Sequence, residues 1–160
     1  MWKIVIPQNT DATFSPNGQY MAVSGEESFV RIWDVNNWVE LPSLRHEHKV
    51  YSIAFSPNSQ YLVTASRDKT AIWKVPNFQE IARVTYNEDV SAITFSPDGK
   101  YLATANADGT TTIWLWRPYD LISEACNRLV RNLTVEEWKQ FFGDEPYRQT
   151  CPNIKEDTSV

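Results

Sequence analysis

A Phe-Ser-Pro triplet recurs at Phe14, Phe55 and Phe95, spaced by 41 and 40 residues, and an Ile-Trp pair follows each one. The tryptophans, Trp33, Trp73 and Trp114, stand 19, 18 and 19 residues beyond their phenylalanines. A period near 40 with an aromatic residue at a fixed offset describes one supersecondary unit written three times. Such units bury their apolar faces against copies of themselves, which restricts the chain to a stacked architecture.

Each unit gives its signals in the same order. A short apolar pattern leads to the Phe, as in Val50–Phe55 and Val90–Phe95. Small or apolar side chains occupy both alternating series there, which predicts strands covered on both faces. The turns Ser15-Pro16-Asn17-Gly18, Ser56-Pro57-Asn58-Ser59 and Ser96-Pro97-Asp98-Gly99 come next. They fit type I geometry, because proline presets φ at the second position. Second strands start at Tyr20, Tyr61 and Tyr101, and third strands end at the tryptophans. Asp108-Gly109 is the clearest turn between the two. Trp38–Leu41 and Gln79–Val84 leave room for a fourth strand. Four antiparallel strands per 40 residues make one propeller blade.

Phe-Ser-Pro-Asn/Asp-Gly-x-Tyr, followed by Ile-Trp-Asp-Val at Ile32–Val35, resembles the WD-repeat β-propeller family over roughly residues 10 to 117. The resemblance implies an all-β partial propeller of three four-stranded blades. It also implies a buried hydrogen-bonded set of Asp, His, Ser/Thr and Trp within a blade. The second repeat supplies all four as His46, Thr64, Asp68 and Trp73. The third offers Thr104, Asp108 and Trp114, with Tyr86 in the histidine position. The first keeps Trp33, with Val23 in the hydroxyl position and Glu27 in the aspartate position.

No catalytic, cofactor or metal site is expected. His46 and His48 flank Glu47, but no third or fourth ligand stands at zinc-type spacing. His46 therefore reads as structural and His48 as a loop residue. The recurring Thr and Asp lack a third partner for nucleophilic catalysis, and none of the five glycines falls in a phosphate-binding pattern. A net charge of −5 without a lysine- or arginine-rich stripe disfavours nucleic acid. No run reaches the roughly 18 apolar residues of a membrane span. Apolar residues make up 42% of the chain, enough for a core. Two cysteines, Cys126 and Cys151, do not make a disulfide framework. Cys126 and Cys151 could approach each other in the C-terminal segment, but the favoured expectation is two reduced thiols in a cytoplasmic protein.

After Trp116 the period stops. Asp120 reads as the N-cap of a helix whose stripe is Leu121, Ile122, Ala125, Cys126, Leu129 and Val130. Thr134-Val135-Glu136-Glu137 reads as a capping box opening a second helix, Val135 to Phe142, stopped by Gly143. The expected organisation is blades over 1–117, a helical cap on the third blade over 118–152, and a frayed tail over 153–160. The run from Arg131 to Arg148, with Thr150-Cys151-Pro152, resembles the C-terminal end of large bacterial, including cyanobacterial, WD-repeat signalling proteins. That resemblance implies ATPase, protease-like or kinase modules upstream.

Closed propellers use four to eight blades. Three blades, with a further outer strand at Trp2–Ile6, leave two apolar faces bare. About 500 Å² on each face corresponds to roughly 12 kcal/mol at most. Missing blades from a longer chain, or a homodimer forming a six-blade ring, are the two expected remedies. The expected function is a non-enzymatic interaction scaffold in signalling, with a protein or peptide partner on the loop-bearing face. Lys49, Tyr51, Arg67 and Asp89 are the candidate contact residues. The alternative is the regulatory end of a multidomain ATPase or kinase signalling protein.

Overall fold

A computed structural model of the chain describes residues 9–25, 28–67, 69–85, 89–151 and 154. The chain forms two compact units, Met1–Trp114 and Leu115–Val160. Trp2–Ile6, Glu27, Asp68, Tyr86 and the tail after residue 154 lie outside the described residues.

The first unit is a stack of antiparallel meanders. One sheet runs in the order β1 (Asn9–Phe14), β2 (Tyr20–Gly25), β3 (Phe29–Asp34) and β4 (Val39–Arg45). The second runs β5 (Val50–Phe55), β6 (Tyr61–Ser66), β7 (Lys69–Lys74) and β8 (Gln79–Thr85). The third holds three strands among the described residues, β9 (Val90–Phe95), β10 (Tyr101–Asn106) and β11 (Thr111–Leu115). Among the described residues the blades are thus of four, four and three strands, where three blades of four were expected. After β11 the chain meets Pro118, whose fixed φ suits a helix start.

Each Ser-Pro turn closes in the same way. In the first, the Gly18 N–H donates to the Ser15 carbonyl at 2.8 Å and the Tyr20 N–H donates to Ser15 Oγ at 2.9 Å. The second and third turns repeat these bonds around Ser56 and Ser96. The fourth turn position is left-handed in all three, with φ of 72° at Gly18, 59° at Ser59 and 69° at Gly99. Serine tolerates that conformation poorly, but its hydroxyl accepts the Asn17 N–H of the first blade at 3.0 Å. The substitution therefore adds a bond between blades.

The first strands β1, β5 and β9 adjoin one another, so the second blade lies between two neighbours. Val50, Ser52, Ile53 and Phe55 of β5 are all buried, as both alternating series of that strand predict. In β9 only Val90 and Ile93 are buried, although its sequence carries the same signal. A second covering face is needed to bury the other series, and among the described residues β9 adjoins one blade.

Polar side chains link these inner strands in sequence. Asp11 Oδ2 accepts from the Ser52 hydroxyl (3.1 Å) and the Ile53 N–H (2.9 Å). Ser52 Oγ in turn accepts from the Ile93 N–H at 3.3 Å. The acceptors Asp11 and Ser52 lie three residues before the repeating phenylalanines and the Ile53 and Ile93 N–H groups two before, and the third copy has Ala92 where Asp11 and Ser52 stand. Asp11→Ala leaves a buried N–H and a hydroxyl without an acceptor and is expected to destabilise the stack by about 1–3 kcal/mol. Urea unfolding measures this; an unchanged midpoint removes the relay from the energetics.

In the second unit, α1 spans Pro118–Arg128 and α2 spans Val135–Phe142. The N-cap of α1 is Arg117, not Asp120, because Pro118 takes the first helical position. Asp120 sits in the first turn and pairs with Arg117. No side chain of α1 is buried. The capping box of α2 forms as its sequence predicts, and Gly143 (φ +65°) ends the helix. Arg131 forks onto Glu137 at 2.7 and 2.8 Å. That guanidinium, aided by the Thr134 N–H, holds the Glu137 carboxyl at about 2.

Cys126 and Cys151 form a disulfide (S–S 2.12 Å), which corrects the expectation of two reduced thiols. The cause is local. The buried amide of Asn132 accepts the Cys151 N–H at 2.8 Å and donates to the Cys151 carbonyl at 3.0 Å. That clasp accompanies a Cα–Cα distance of 5.4 Å from Cys151 to Cys126. Closing a loop 25 residues apart restricts the unfolded chain by roughly 3–4 kcal/mol.

Candidate functional site

Two kinds of site follow from the repeats: an internal lock within each blade, and a surface where the inner strands begin. The lock is most complete in the second blade. The Trp73 indole N–H donates to Thr64 Oγ1 at 2.9 Å, and the Thr64 hydroxyl turns to the Ala71 carbonyl at 3.4 Å. Both side chains are buried, Thr64 entirely. The pairing of Leu62 with Trp73 and of Thr64 with Ala71 across β6 and β7 sets this reach. His46, in the loop between β4 and β5, presents its ring edge to Trp73 at 5.6 Å between centroids. Burial, then the Arg83 charge, lowers its pKa from 6.5 to about 4, against the opposing pull of Glu80. His46 is therefore neutral at pH 7. Asp68, the fourth member expected, lies outside the described residues.

In the third blade the Trp114 indole donates to Thr104 Oγ1 at 3.2 Å. Asp108 is not brought to that pair: its carboxylate accepts from the Thr110 N–H and hydroxyl at 2.8 and 2.7 Å, closing its own turn. In the first blade Trp33 and Val23 are both buried, and Val23, in the position that Thr64 holds in the second blade, has no hydroxyl to accept from an indole. His48 is exposed in the β4–β5 loop. Among the described residues no three His, Cys, Asp or Glu side chains gather as a metal-holding group.

The surface candidates fall into two pairs at one end of the sheets. Lys49 Nζ lies 5.5 Å from the Tyr51 ring centroid, a cation–π contact at the start of β5. Arg67, just beyond β6, pairs with Asp89, just before β9, at 3.3 Å. The Val90 N–H also donates to the Arg67 carbonyl at 3.2 Å, so this pair bridges the second and third blades.

Beside them stands a charge network that the sequence did not signal. Glu47 meets Lys69 at 2.5 Å and Arg83 at 3.7 Å, and Arg83 meets Glu80 at 2.7 Å. Lys69 holds the Glu47 carboxyl below its ordinary range and Arg83 does the same for Glu80. The network depends on the β7–β8 register, in which Ala71 faces Arg83 and Trp73 faces Glu80. A shift between Ile72 and Trp73 breaks the simple alternation, so a repeat count alone does not reveal it.

Stacked antiparallel meanders with an indole-to-hydroxyl lock, linked through their inner strands, are blades of a β-propeller of the WD-repeat type. The family model described as WD domain, G-beta repeat matches residues 9–34, 38–73 and 80–115, and the chain belongs to this family. It is 41% identical over 61 residues to Elongator complex protein 2 of Dictyostelium discoideum, covering 34% of this chain and 7% of that protein. It is 35% identical over 54 residues to small ribosomal subunit protein RACK1 of Candida albicans, covering 34% of this chain and 17% of that protein. The chain thus spans a small part of the length of these relatives. Among solved structures, the RRP9 WD40 repeats superpose with a TM-score of 0.64 at 19% identity, over 68% of this chain and 35% of that one. Kuenenia stuttgartiensis hydrazine synthase gives 0.58 at 22% identity, over 65% and 30%. At these identities the likeness concerns the fold alone.

Proposed function

We propose that this chain is a non-enzymatic interaction scaffold that binds a protein or peptide at the end of the blades carrying Lys49, Tyr51, Arg67 and Asp89. WD-repeat proteins are in general interaction scaffolds, and relatives of this chain are named for the Elongator complex and the small ribosomal subunit. The observation that carries the reading is the contrast between the two sites. The lock threonines spend their hydroxyls on indole N–H groups inside the blade. The four surface residues combine an aromatic ring, two cations and a carboxylate on exposed or half-buried positions. Charges of both signs around an aromatic suit a mixed-charge peptide more than a polyanion. Among the described residues no helix is long and apolar enough to cross a membrane.

Arg67→Glu tests the assignment. Arg67 and Asp89 are exposed by 64% and 45%, so their pair adds little to stability. The variant is expected to melt like the parent but to retain at least tenfold less of the proteins captured by cross-linking in source-cell extract. A Glu136→Lys control on α2 is expected to capture them normally. Undiminished capture by Arg67→Glu counts against this face.

A second reading makes the blades the regulatory part of a longer bacterial signalling protein of the ATPase or kinase type. It rests on the resemblance of the Arg131–Arg148 run, and its test is the genomic neighbourhood: finding an upstream reading frame with further repeats and a nucleotide-binding module would support it, and finding none would count against it.

A further inference from the structure

We propose that the Cys126–Cys151 disulfide is a redox-modifiable site. A dithiol reductant opens it and thereby uncouples α1 from the rest of the C-terminal unit, while the blades stay folded.

The tertiary contacts of this unit gather on the segment that follows α2. Trp138, the buried side chain of α2, donates its indole N–H to the Glu145 carbonyl at 3.0 Å and meets the Tyr147 ring edge-on at 5.8 Å. The Tyr147 hydroxyl donates to the Leu133 carbonyl at 3.0 Å, and the Asn132 amide grips both backbone groups of Cys151. Residues 132–151 therefore form a hook closed on itself. The helix α1 brings no buried side chain to any of this. Its side-chain ion pairs, Arg117 with Asp120 and Arg128 with Glu124, stay within its own first and last turns. The bond from Cys126 to Cys151 is the joint between helix and hook.

The two sulfurs differ in access. Cys151 is 1% exposed, whereas Cys126 is half-buried on the last turn of α1. An incoming thiolate therefore attacks Cys126 Sγ. The Cys126–Cys151 bond breaks, a mixed disulfide forms at Cys126, and Cys151 leaves as a thiolate that takes a proton. The second thiol of the reductant then attacks the reductant's own sulfur in that mixed disulfide and expels Cys126 as a thiolate, which is protonated. Two electrons and two protons pass to the protein, and the reductant ends as a cyclic disulfide. The freed Cys151 stays in the Asn132 clasp, near enough to Cys126 for an oxidant of the disulfide class to restore the bond.

Hydrogen exchange read by mass spectrometry on the full chain tests this, with dithiothreitol as the reductant and oxidised glutathione for recovery. Maleimide labelling is expected to find no free thiol before reduction and two after it. On reduction, peptides from 118–128 are expected to exchange more than about tenfold faster, while peptides from β1 to β10 keep their rates. Oxidation is expected to restore the slow pattern, and Cys126→Ser to show the fast one with or without reductant. Asn132→Ala keeps both sulfurs but opens the clasp, and is expected to be reduced faster and reoxidised more slowly. Free thiols before reduction, a bond that resists dithiothreitol in the native protein, or unchanged exchange in 118–128 once both thiols label would each overturn the proposal.

Discussion

Trp73→Ala is expected to remove about 3–5 kcal/mol of unfolding free energy, the largest single effect in the chain. The indole is 7% exposed and belongs to the continuous core that also holds Val30, Ile32, Leu44, Val50, Ile53, Phe55 and Leu62. These residues come from two sheets, so the cavity opens at the seam between the first and second blades. Thr64 Oγ1 loses its donor and His46 loses the ring against which it packs. Thr64→Val separates the two contributions. It keeps the shape of the side chain, strands the indole N–H and removes the long hydroxyl bond to the Ala71 carbonyl, at about 1–3 kcal/mol. Guanidinium unfolding of both single variants and the double variant gives the coupling between them. A Trp73→Ala loss no larger than that of Thr64→Val would mean that the seam repacks around the missing ring.

The second large effect is a fall in stability on acidification through His46. Its pKa is 6.5 when unfolded and about 4 in the fold, depressed first by burial and then by Arg83, with Glu80 opposing. Between these values the unfolded chain binds the proton and the folded chain does not, so stability rises with pH across that window. The penalty is absent above about pH 6.5, accumulates as pH falls, and is complete below about 4. Its size approaches roughly 3 kcal/mol, as an upper figure for a group that keeps some solvent contact. Below about pH 4.5, protonation of Glu47 and Glu80 acts in the same direction, because both carboxyls are held low by their cations. Denaturant midpoints of the parent and of His46→Gln, followed from pH 7 to pH 4, isolate the histidine as the difference between two curves. Parallel curves would place His46 outside the acid response.

Much of the blade region can be read from the sequence because its signals are local and repeated. Phe14, Phe55 and Phe95 mark where inner strands end, and the Ser-Pro turns recur with the same hydrogen bonds around Ser15, Ser56 and Ser96. The second helix is legible for the same reason, since Thr134 and Glu137 satisfy each other within one turn. The features that escape depend on partners distant in sequence. Val50–Phe55 and Val90–Phe95 look alike, yet only β5 has a neighbour on each side. With two cysteines in the chain the mate of Cys126 is evident, but that the two are bonded follows only from the fold, in which Asn132 grips Cys151. The site divides along the same line. Trp73 with Thr64 follows from the period, whereas Glu47, Lys69, Glu80 and Arg83 meet only through a shifted β7–β8 pairing.

The acceptors between inner strands form a descending series. A carboxylate at Asp11 receives two donors from the second blade, a hydroxyl at Ser52 receives one from the third, and a methyl at Ala92 has nothing to offer. The rivets along the axis thus weaken in one direction, and β9 is also the more thinly covered of the two strands compared. The link between the second and third sheets is accordingly expected to open before the link between the first and second, giving the array a polarity of unzipping that near-identical repeats do not suggest; faster exchange of the Ile93 N–H than of the Ile53 N–H checks this.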